Sequence, residues 1–515
     1  MSLGLSTKFD ILRESPYELA SNAHAEPAID AARGRTQRWL PSRYTVRATT
    51  EDGRLVLWNT FSGAMCIFSR KDKETVERLL VREGFEARDS GVVHYLSTKG
   101  YVVPQGADEY RRLRIRFGQQ QFRTDTFQLI LLSSEDCNFR CTYCYEDFAR
   151  GTMKRWVRNG IKNLTLKRLP ALTSLAVNWF GGEPLYGIEA IDDLAPFFHD
   201  LASENGLAFN SKMTTNGYLL SPEVAERLLS WRILHYQITL DGPAEFHNQS
   251  RPARDGSGTF DTILTNLVSL HQRQEDFTVD LRVNFNPQSY PHLGSFLDLV
   301  QSELSSDPRY KLRFRPVGRW GGDNDANLQV CGYRDGIELR KELTKEAQLR
   351  GLSVTDGLTE LQRFGADVCY AARPYNFIIG ATGKVMKCTV ELDKNPRNVV
   401  GSLNEDGELK LDLDRFALWT EPAFESDQQC QKCVILPTCL GMSCPLERFE
   451  TDKSPCTWTR ANFKSEMRQV ASQRDAGRKL ALPVAETSAS EADDSVRPIA
   501  DLTGYSTTVP TGTRA

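Results

Sequence analysis

Three cysteines fall within eight residues, Cys137, Cys141 and Cys144, in the string Cys-Asn-Phe-Arg-Cys-Thr-Tyr-Cys-Tyr-Glu. They stand just downstream of an unbroken apolar run, Leu129-Ile130-Leu131-Leu132. A run without alternation reads as a strand covered on both faces, as in a parallel sheet. Three thiolates can hold three corners of an iron–sulfur cube. The next cysteine downstream is Cys331, so one iron corner is left open for a substrate or cofactor. A zinc knuckle is the competing reading. It requires a fourth Cys or His at tetrahedral spacing, and His235 and His247 lie far off in unrelated contexts.

A chain of 515 residues exceeds one ordinary core, so two to four domains are expected. Hydrophobic content of 40% and charged content of 25% fit a globular protein. A net charge of −3 gives no footprint for nucleic acid. Neither a signal peptide nor a membrane-length apolar run is read, so a cytoplasmic location and no membrane partner are expected. Twelve cysteines in that setting argue for metal ligation over disulfides.

The periodicity changes along the chain. Residues 1–35 read as an N-terminal arm. Tyr44-Thr45-Val46 and Leu55-Val56-Leu57-Trp58 flank the turn Asp52-Gly53, which predicts a hairpin. A helix carrying Val76, Leu79 and Leu80 stops near Gly84. A second helix ends at Gly100, and a strand follows at Tyr101-Val102-Val103. This order describes a small winged-helix-like unit over 36–118. The basic run Arg111, Arg112, Arg114 and Arg116 reads as a solvated strand or linker face.

From Phe127 strands alternate with helices. Strands are predicted at Leu129–Leu132, Ser174–Phe180, Ala208–Met213, Leu234–Leu240, Asp280–Asn286 and Leu312–Val317, with helices such as Pro222–Trp231 and Thr259–Arg273 between them. The fold class is therefore α/β, a partial (β/α)6 TIM-like barrel over 119–350, with its chemistry at the C-terminal ends of the strands. A cysteine-rich region over 351–475 follows. Residues 476–515 are rich in Ala, Ser, Thr, Pro and Asp and read as disordered.

The Cys-x3-Cys-x2-Cys spacing resembles the radical S-adenosylmethionine (SAM) enzymes. The resemblance implies a 4Fe-4S cluster on Cys137, Cys141 and Cys144, with SAM chelating the open iron. Trp179-Phe180-Gly181-Gly182-Glu183-Pro184, after the second strand, resembles the family element that holds the methionine amino group and points to Gly181, Gly182 and Glu183. Thr215 and Asn216 follow the third strand and Asp241 the fourth, where ribose hydroxyls need partners; ordinary Asn-Gly and Asp-Gly turns are the alternative. Tyr143 occupies the motif's aromatic position, implied to pack near the adenine. Arg251-Pro252 and Gly258-Thr259-Phe260 resemble the peptide-modifying subgroup, in which Arg251 meets the cofactor carboxylate or closes a salt bridge.

Seven further cysteines, Cys369, Cys388, Cys430, Cys433, Cys439, Cys444 and Cys456, resemble a SPASM domain with two auxiliary 4Fe-4S clusters. Four residues separate Cys439 from Cys444, where the usual pattern has three. A zinc ribbon is the alternative for Cys430-x2-Cys433. The resemblance implies one cluster on Cys430, Cys433, Cys439 and Cys456, and one on Cys369, Cys388 and Cys444 with an open corner. Cys66 and Cys331 read as small buried hydrophobes.

Together these features imply a maturase that installs a thioether, carbon–carbon or related crosslink on a ribosomally made precursor peptide. The N-terminal unit would bind its leader by strand addition, and a flavodoxin or ferredoxin would supply electrons. A sulfatase-maturing enzyme and a non-catalytic cluster or zinc scaffold are the alternatives. Thr389, where the sulfatase-maturing pattern has an acid after the Gly-x4-Cys cysteine, weighs against the first.

Overall fold

The computed structural model describes residues 36–304, 307–355, 363–453, 456 and 458–475; the expected arm at 1–35 and tail at 476–515 lie outside the described residues. The chain divides into two units, 1–471 and 472–515. Of the second, only 472–475 are described, as the end of helix Trp458–Asp475.

The first unit opens with β1 (Thr36–Pro41), β2 (Thr45–Thr49), β3 (Leu55–Asn59) and β4 (Met65–Phe68), then α1 (Arg70–Leu79), β5 (Phe85–Arg88), α2 (Gly91–Thr98), β6 (Val102–Pro104) and α3 (Glu109–Gln121). The hairpin pairs Val46 with Trp58, and β4 extends it into the sheet β2-β3-β4; a second sheet has the order β5-β1-β6. β1, β4 and β5 are additional to the elements expected here. β5 (Phe-Glu-Ala-Arg) carries charge on alternate positions and β1 has only Trp39 and Leu40 as a bulky apolar pair, while β4 (Met-Cys-Ile-Phe) is apolar throughout but too short to show a period.

β3 is buried on both faces. Leu55 and Leu57 pack with Val76, Leu80 and Leu96, whereas Val56 and Trp58 pack with Ile435, Met467 and Val470 from the distant cysteine-rich segment. The basic run lies on helix α3, not on a strand or linker. Asp108 caps this helix by accepting from the Arg111 N–H (2.9 Å). Leu113 and Phe117, one turn apart, face the core. Arg111, Arg112 and Arg114 are exposed, while Arg116 covers the Phe61 and Phe364 rings. The boundary expected at 118 thus lies inside a helix.

Six parallel strands follow, β7 (Thr126–Ser134), β8 (Ser174–Gly181), β9 (Ala208–Thr215), β10 (Ile233–Thr239), β11 (Thr278–Phe285) and β12 (Tyr310–Pro316). Helices α4 (Arg155–Arg168), α5 (Ile188–Glu204), α6 (Pro222–Ser230), α7 (Ala244–Ser250), α8 (Phe260–His271), α9 (Leu293–Leu304) and α10 (Tyr333–Leu349) separate or follow them. Alternate strand residues, such as Val177, Leu281 and Phe314, join Leu194, Leu267 and Leu297 of the helices in one core. Each such fully buried side chain contributes roughly 1.5–3 kcal/mol.

The sheet does not stop at six strands. β13 (Asn376–Ile379) pairs parallel to β7, and β14 (Lys384–Met386), β15 (Val399–Leu403) and β16 (Leu409–Leu411) continue antiparallel. The ten-stranded order is β12-β11-β10-β9-β8-β7-β13-β14-β15-β16. The region beyond 350, read from the sequence as cysteine-rich and given no strands, therefore contributes four strands to the barrel sheet. β13 is only four residues long and buried throughout, too short to show a period. No described helix is long and apolar enough to cross a membrane.

Candidate functional site

The cysteine loop leaves the C-terminal end of β7 and closes on β8. Gly181 has φ +129°, and a Cβ there would run into the Ser134 carbonyl. A Cβ on Gly182 would stand 2.7 Å from the Asp136 carbonyl oxygen and 3.2 Å from Cys137 Cβ. Both glycines are what allow β8 to end against the cysteine loop. The segment after α7 pins the other side, since the Arg140 and Thr142 N–H groups donate to the Pro252 and Ser250 carbonyls (2.9 and 2.8 Å).

Glu183 is fully buried. Its carboxylate accepts from the Leu185 N–H (3.0 Å), the Thr215 hydroxyl (2.7 Å) and the Asn216 N–H (2.7 Å). Burial raises its pKa against these donors. Thr215 and Asn216 thus fix Glu183, and the Asn216 amide also donates to Asn138 (2.8 Å) inside the cysteine loop.

Tyr143 joins a second network. Its hydroxyl donates to Asp241 and accepts from Arg251 Nη1 (2.7 Å) and Asn284 Nδ2 (3.1 Å). Asp241 also accepts from the Asn284 N–H (2.8 Å). Asn284 has no place in the sequence reading; only its position at the end of an alternating strand, where the chemistry was expected, could have marked it.

His247, read from sequence as unrelated to the site, lies under this network. Its Nδ1 accepts from the Asp241 N–H (3.0 Å), so the ring proton sits on Nε2 and donates to the Thr259 hydroxyl (3.1 Å). That hydroxyl donates to the Arg251 carbonyl (2.8 Å). Burial and the Arg251 charge hold His247 down at about 2, a neutral supporting ring. Glu146 was also missed. Burial and the neighbouring Glu135 and Asp147 carboxylates push it up to about 8, next to the triad.

The three cysteines are close enough for Cys141 and Cys144 to act on Cys137, and burial raises all three thiols, Cys144 to about 12. Arg251 is 7% exposed, its Nε is buried without a partner, and it makes no ion pair among the described residues. An unsatisfied guanidinium donor that acts on the Cys141 and Cys144 thiols fits a cluster with a carboxylate-bearing ligand.

The profile of the Radical SAM superfamily matches residues 131–300, which span β7 to most of α9. A cysteine-type anaerobic sulfatase-maturating enzyme of Clostridium perfringens is 30% identical over 330 residues, 61% of this chain and 87% of that protein. The chain belongs to the radical SAM superfamily. The radical SAM cyclopropyl synthase TigE of Paramaledivibacter caminithermalis is 23% identical over 451 residues, 78% of this chain and 89% of that protein. The solved structure of native anSMEcpe with bound AdoMet and Cp18Cys peptide shares the fold, at a TM-score of 0.52 and 18% identity, over 68% of this chain and 98% of that one. Membership implies one 4Fe-4S cluster and SAM for this radical SAM protein.

The downstream cysteines fall into two groups. Cys388 and Cys444 act electrostatically on Cys369, and burial raises Cys369 to about 12 and Cys388 to about 11. Cys430 and Cys433 act on Cys439, and Arg460 Nη1 donates to Cys456 Sγ (2.8 Å) while feeling Cys433 and Cys430. Tyr145, next to Cys144, is influenced by Cys388, and Tyr370 by Cys388 and Cys369, so the first group lies on the triad's side. Cys430 and Cys433 pack instead with Tyr44 and Phe61 of the N-terminal unit. Cys66 is buried as expected, but Cys331 is half-buried against Gly336. Among the described residues no three His, Cys, Asp or Glu side chains close on a point suited to a single ion; a cube takes its thiolates at separate corners.

Proposed function

We propose that this radical SAM protein is a peptide maturase that installs a thioether, carbon–carbon or related crosslink on a ribosomally made precursor. The supporting observation is the division of the seven downstream cysteines into a trio on the triad's side and a quartet of which Cys430 and Cys433 pack against the N-terminal unit. Cys137, Cys141 and Cys144 would hold the radical-generating cluster. Cys369, Cys388 and Cys444 would hold a nearer auxiliary cluster, and Cys430, Cys433, Cys439 and Cys456 a farther one.

With SAM bound and an electron from a flavodoxin or ferredoxin, such a site would supply hydrogen-atom abstraction from the peptide. The protein's own residues do the positioning. Gly182 lets a ligand approach the Cys137 side of the loop, Glu183 holds the two strand ends together, and Arg251 offers its free Nε to a carboxylate. Tyr143, Asp241 and Asn284 fix the wall between them. In the N-terminal unit, β5 is an edge strand that pairs with β1 alone among the described residues, where a leader could add as a further strand.

The 30% identity to a sulfatase-maturating enzyme supports a second reading. Thr389 speaks against it, since its hydroxyl bonds to Tyr370 (2.6 Å) in the place of an acid. Anaerobic reconstitution with iron, sulfide, dithionite and SAM separates the readings. The maturase reading expects deoxyadenosine, and a loss of two hydrogens from a short peptide encoded beside this gene only when residues 36–108 are present. Aldehyde formation on a sulfatase peptide carrying Cys or Ser would replace it with the second reading. No deoxyadenosine from fully iron-loaded protein would leave a non-catalytic scaffold.

A further inference from the structure

The barrel is not evenly charged inside. On β11 and β12 the residues Val279, Leu281, Val283, Leu312 and Phe314 face the helices and are buried in the main core. Their neighbours in the alternation, Asp280, Arg282 and Asn284 on β11 and Lys311, Arg313 and Arg315 on β12, therefore face the concave side. Strand register sets Arg282 beside Arg313 and Asn284 beside Arg315. Arg313 has a partner, its Nε donating to Asp280 (2.5 Å), and Arg282 Nε donates to Asn284 Oδ1 (2.8 Å). The Arg315 side chain makes no hydrogen bond or ion pair among the described residues and is exposed. Surrounding protein and the like charges of Arg282, Arg340 and Arg313 pull its pKa down to about 10.

Like charges gathered on one concave wall repel one another, and the arrangement is relieved when an anion enters. The location says where. Arg315 sits at the C-terminal end of β12, next to Asn284, whose amide reaches Tyr143 in the cysteine loop. A guanidinium offers its donors in a planar fork that matches a carboxylate.

We propose that Arg315, flanked by Arg282, receives a carboxylate in the mouth of the barrel, from an acidic side chain or C-terminus of the substrate peptide or from the methionine part of SAM. The inference rests on the radical SAM reading of this mouth, but occupancy at Arg315 can be read on the protein without turnover.

Limited phenylglyoxal modification of the anaerobically reconstituted protein, followed by peptide mass spectrometry, measures the reactivity of each arginine. Without ligand, Arg315 should react faster than the ion-paired Arg313. N-acetylglutamate amide, SAM and the neutral N-acetylglutamine amide are then compared as protectants. A charge-assisted fork should slow modification of Arg315 by about tenfold at saturation. Protection by the acidic amide in SAM-loaded protein assigns the carboxylate to the substrate; protection by SAM alone assigns it to the cofactor. Arg315→Gln should weaken binding of the protecting ligand by a similar factor, with an unchanged melting temperature certifying its fold. Equal modification rates with all three compounds and with none would overturn the proposal. Deoxyadenosine formation, assayed in parallel, reports separately on the radical reading.

Discussion

The two cysteine regions of this protein are built in opposite ways. Cys137, Cys141 and Cys144 share one loop at the end of one strand, and two glycines at the end of the next strand let that loop close. Cys369, Cys388 and Cys444 come from three places: a short turn before β13, the end of β14, and the start of helix Pro445–Thr451. The first set is local and needs only a strand end to present it. The second exists only because the sheet continues past the barrel and brings β14 alongside it. A local site can be read off a spacing; an assembled one depends on the clamps that hold its parts.

The largest effect expected from this contrast is on the triad. Replacing Cys137, Cys141 and Cys144 by Ala should reduce SAM cleavage to background and remove about a third of the bound iron, if all three cubes are present. Retained deoxyadenosine formation would sink the assignment. Replacing Cys369, Cys388 and Cys444 by Ala should leave cleavage uncoupled from peptide and abolish peptide modification. Peptide product at the normal yield would show that the assembled trio is not part of the chemistry.

A smaller effect tests the clamp between the two regions. Arg150, just past the triad, pairs with Glu135 (3.4 Å), Asp147 (2.7 Å) and Asp393. Asp393 lies five residues past Cys388 and also accepts from Lys384 (2.7 Å). Glu135 and Asp393 are each 3% exposed at the side chain. Arg150→Ala strips buried carboxylates of a partner and should cost about 3–5 kcal/mol in urea unfolding. Cutting the exposed Arg227–Asp192 pair should cost no more than about 1 kcal/mol. Equal losses would mean that Arg150 is no clamp.

The smallest effect concerns pH. Unfolded His247 takes up a proton below about 6.5, whereas the folded ring stays neutral down to about 2. The unfolded state then binds more protons, so stability falls as the pH drops below 6.5, with a slope of up to about 1.4 kcal/mol per pH unit from this residue. His235, held down at about 4 by burial and by Lys212 and Lys311, adds a slope of the same sign. His247→Gln should remove its own share and leave that of His235. Unfolding measured at pH 5 and pH 7 checks this, and an unchanged difference between the two would remove His247 from its supporting place.

Much of the barrel was legible because its strands carry strong apolar runs at regular spacing. All six expected strands occur, from Leu129–Leu132 inside β7 to Leu312–Val317 overlapping β12. Glu183 was read as part of a family element and Thr215 and Asn216 as ribose partners, but the hydrogen bonds that join them to one another were not legible, because those link strand ends more than thirty residues apart. β13 was invisible because four buried residues have no period. The run Arg111–Arg116 was misread because the helical signal, Leu113 and Phe117 four apart, is sparse among the charges.

The sequence by itself determined the cysteine triad, the Gly-Gly-Glu element and the order of the barrel strands, since each depends on residues close along the chain. Tertiary structure alone decided what lies beneath and across from them. It placed His247 under Asp241, set Asn284 against Tyr143, and left Arg315 on the concave wall without a side-chain partner among the described residues. Those relations join neighbouring strands and the loops after them, where spacing along the chain carries no information about distance in space.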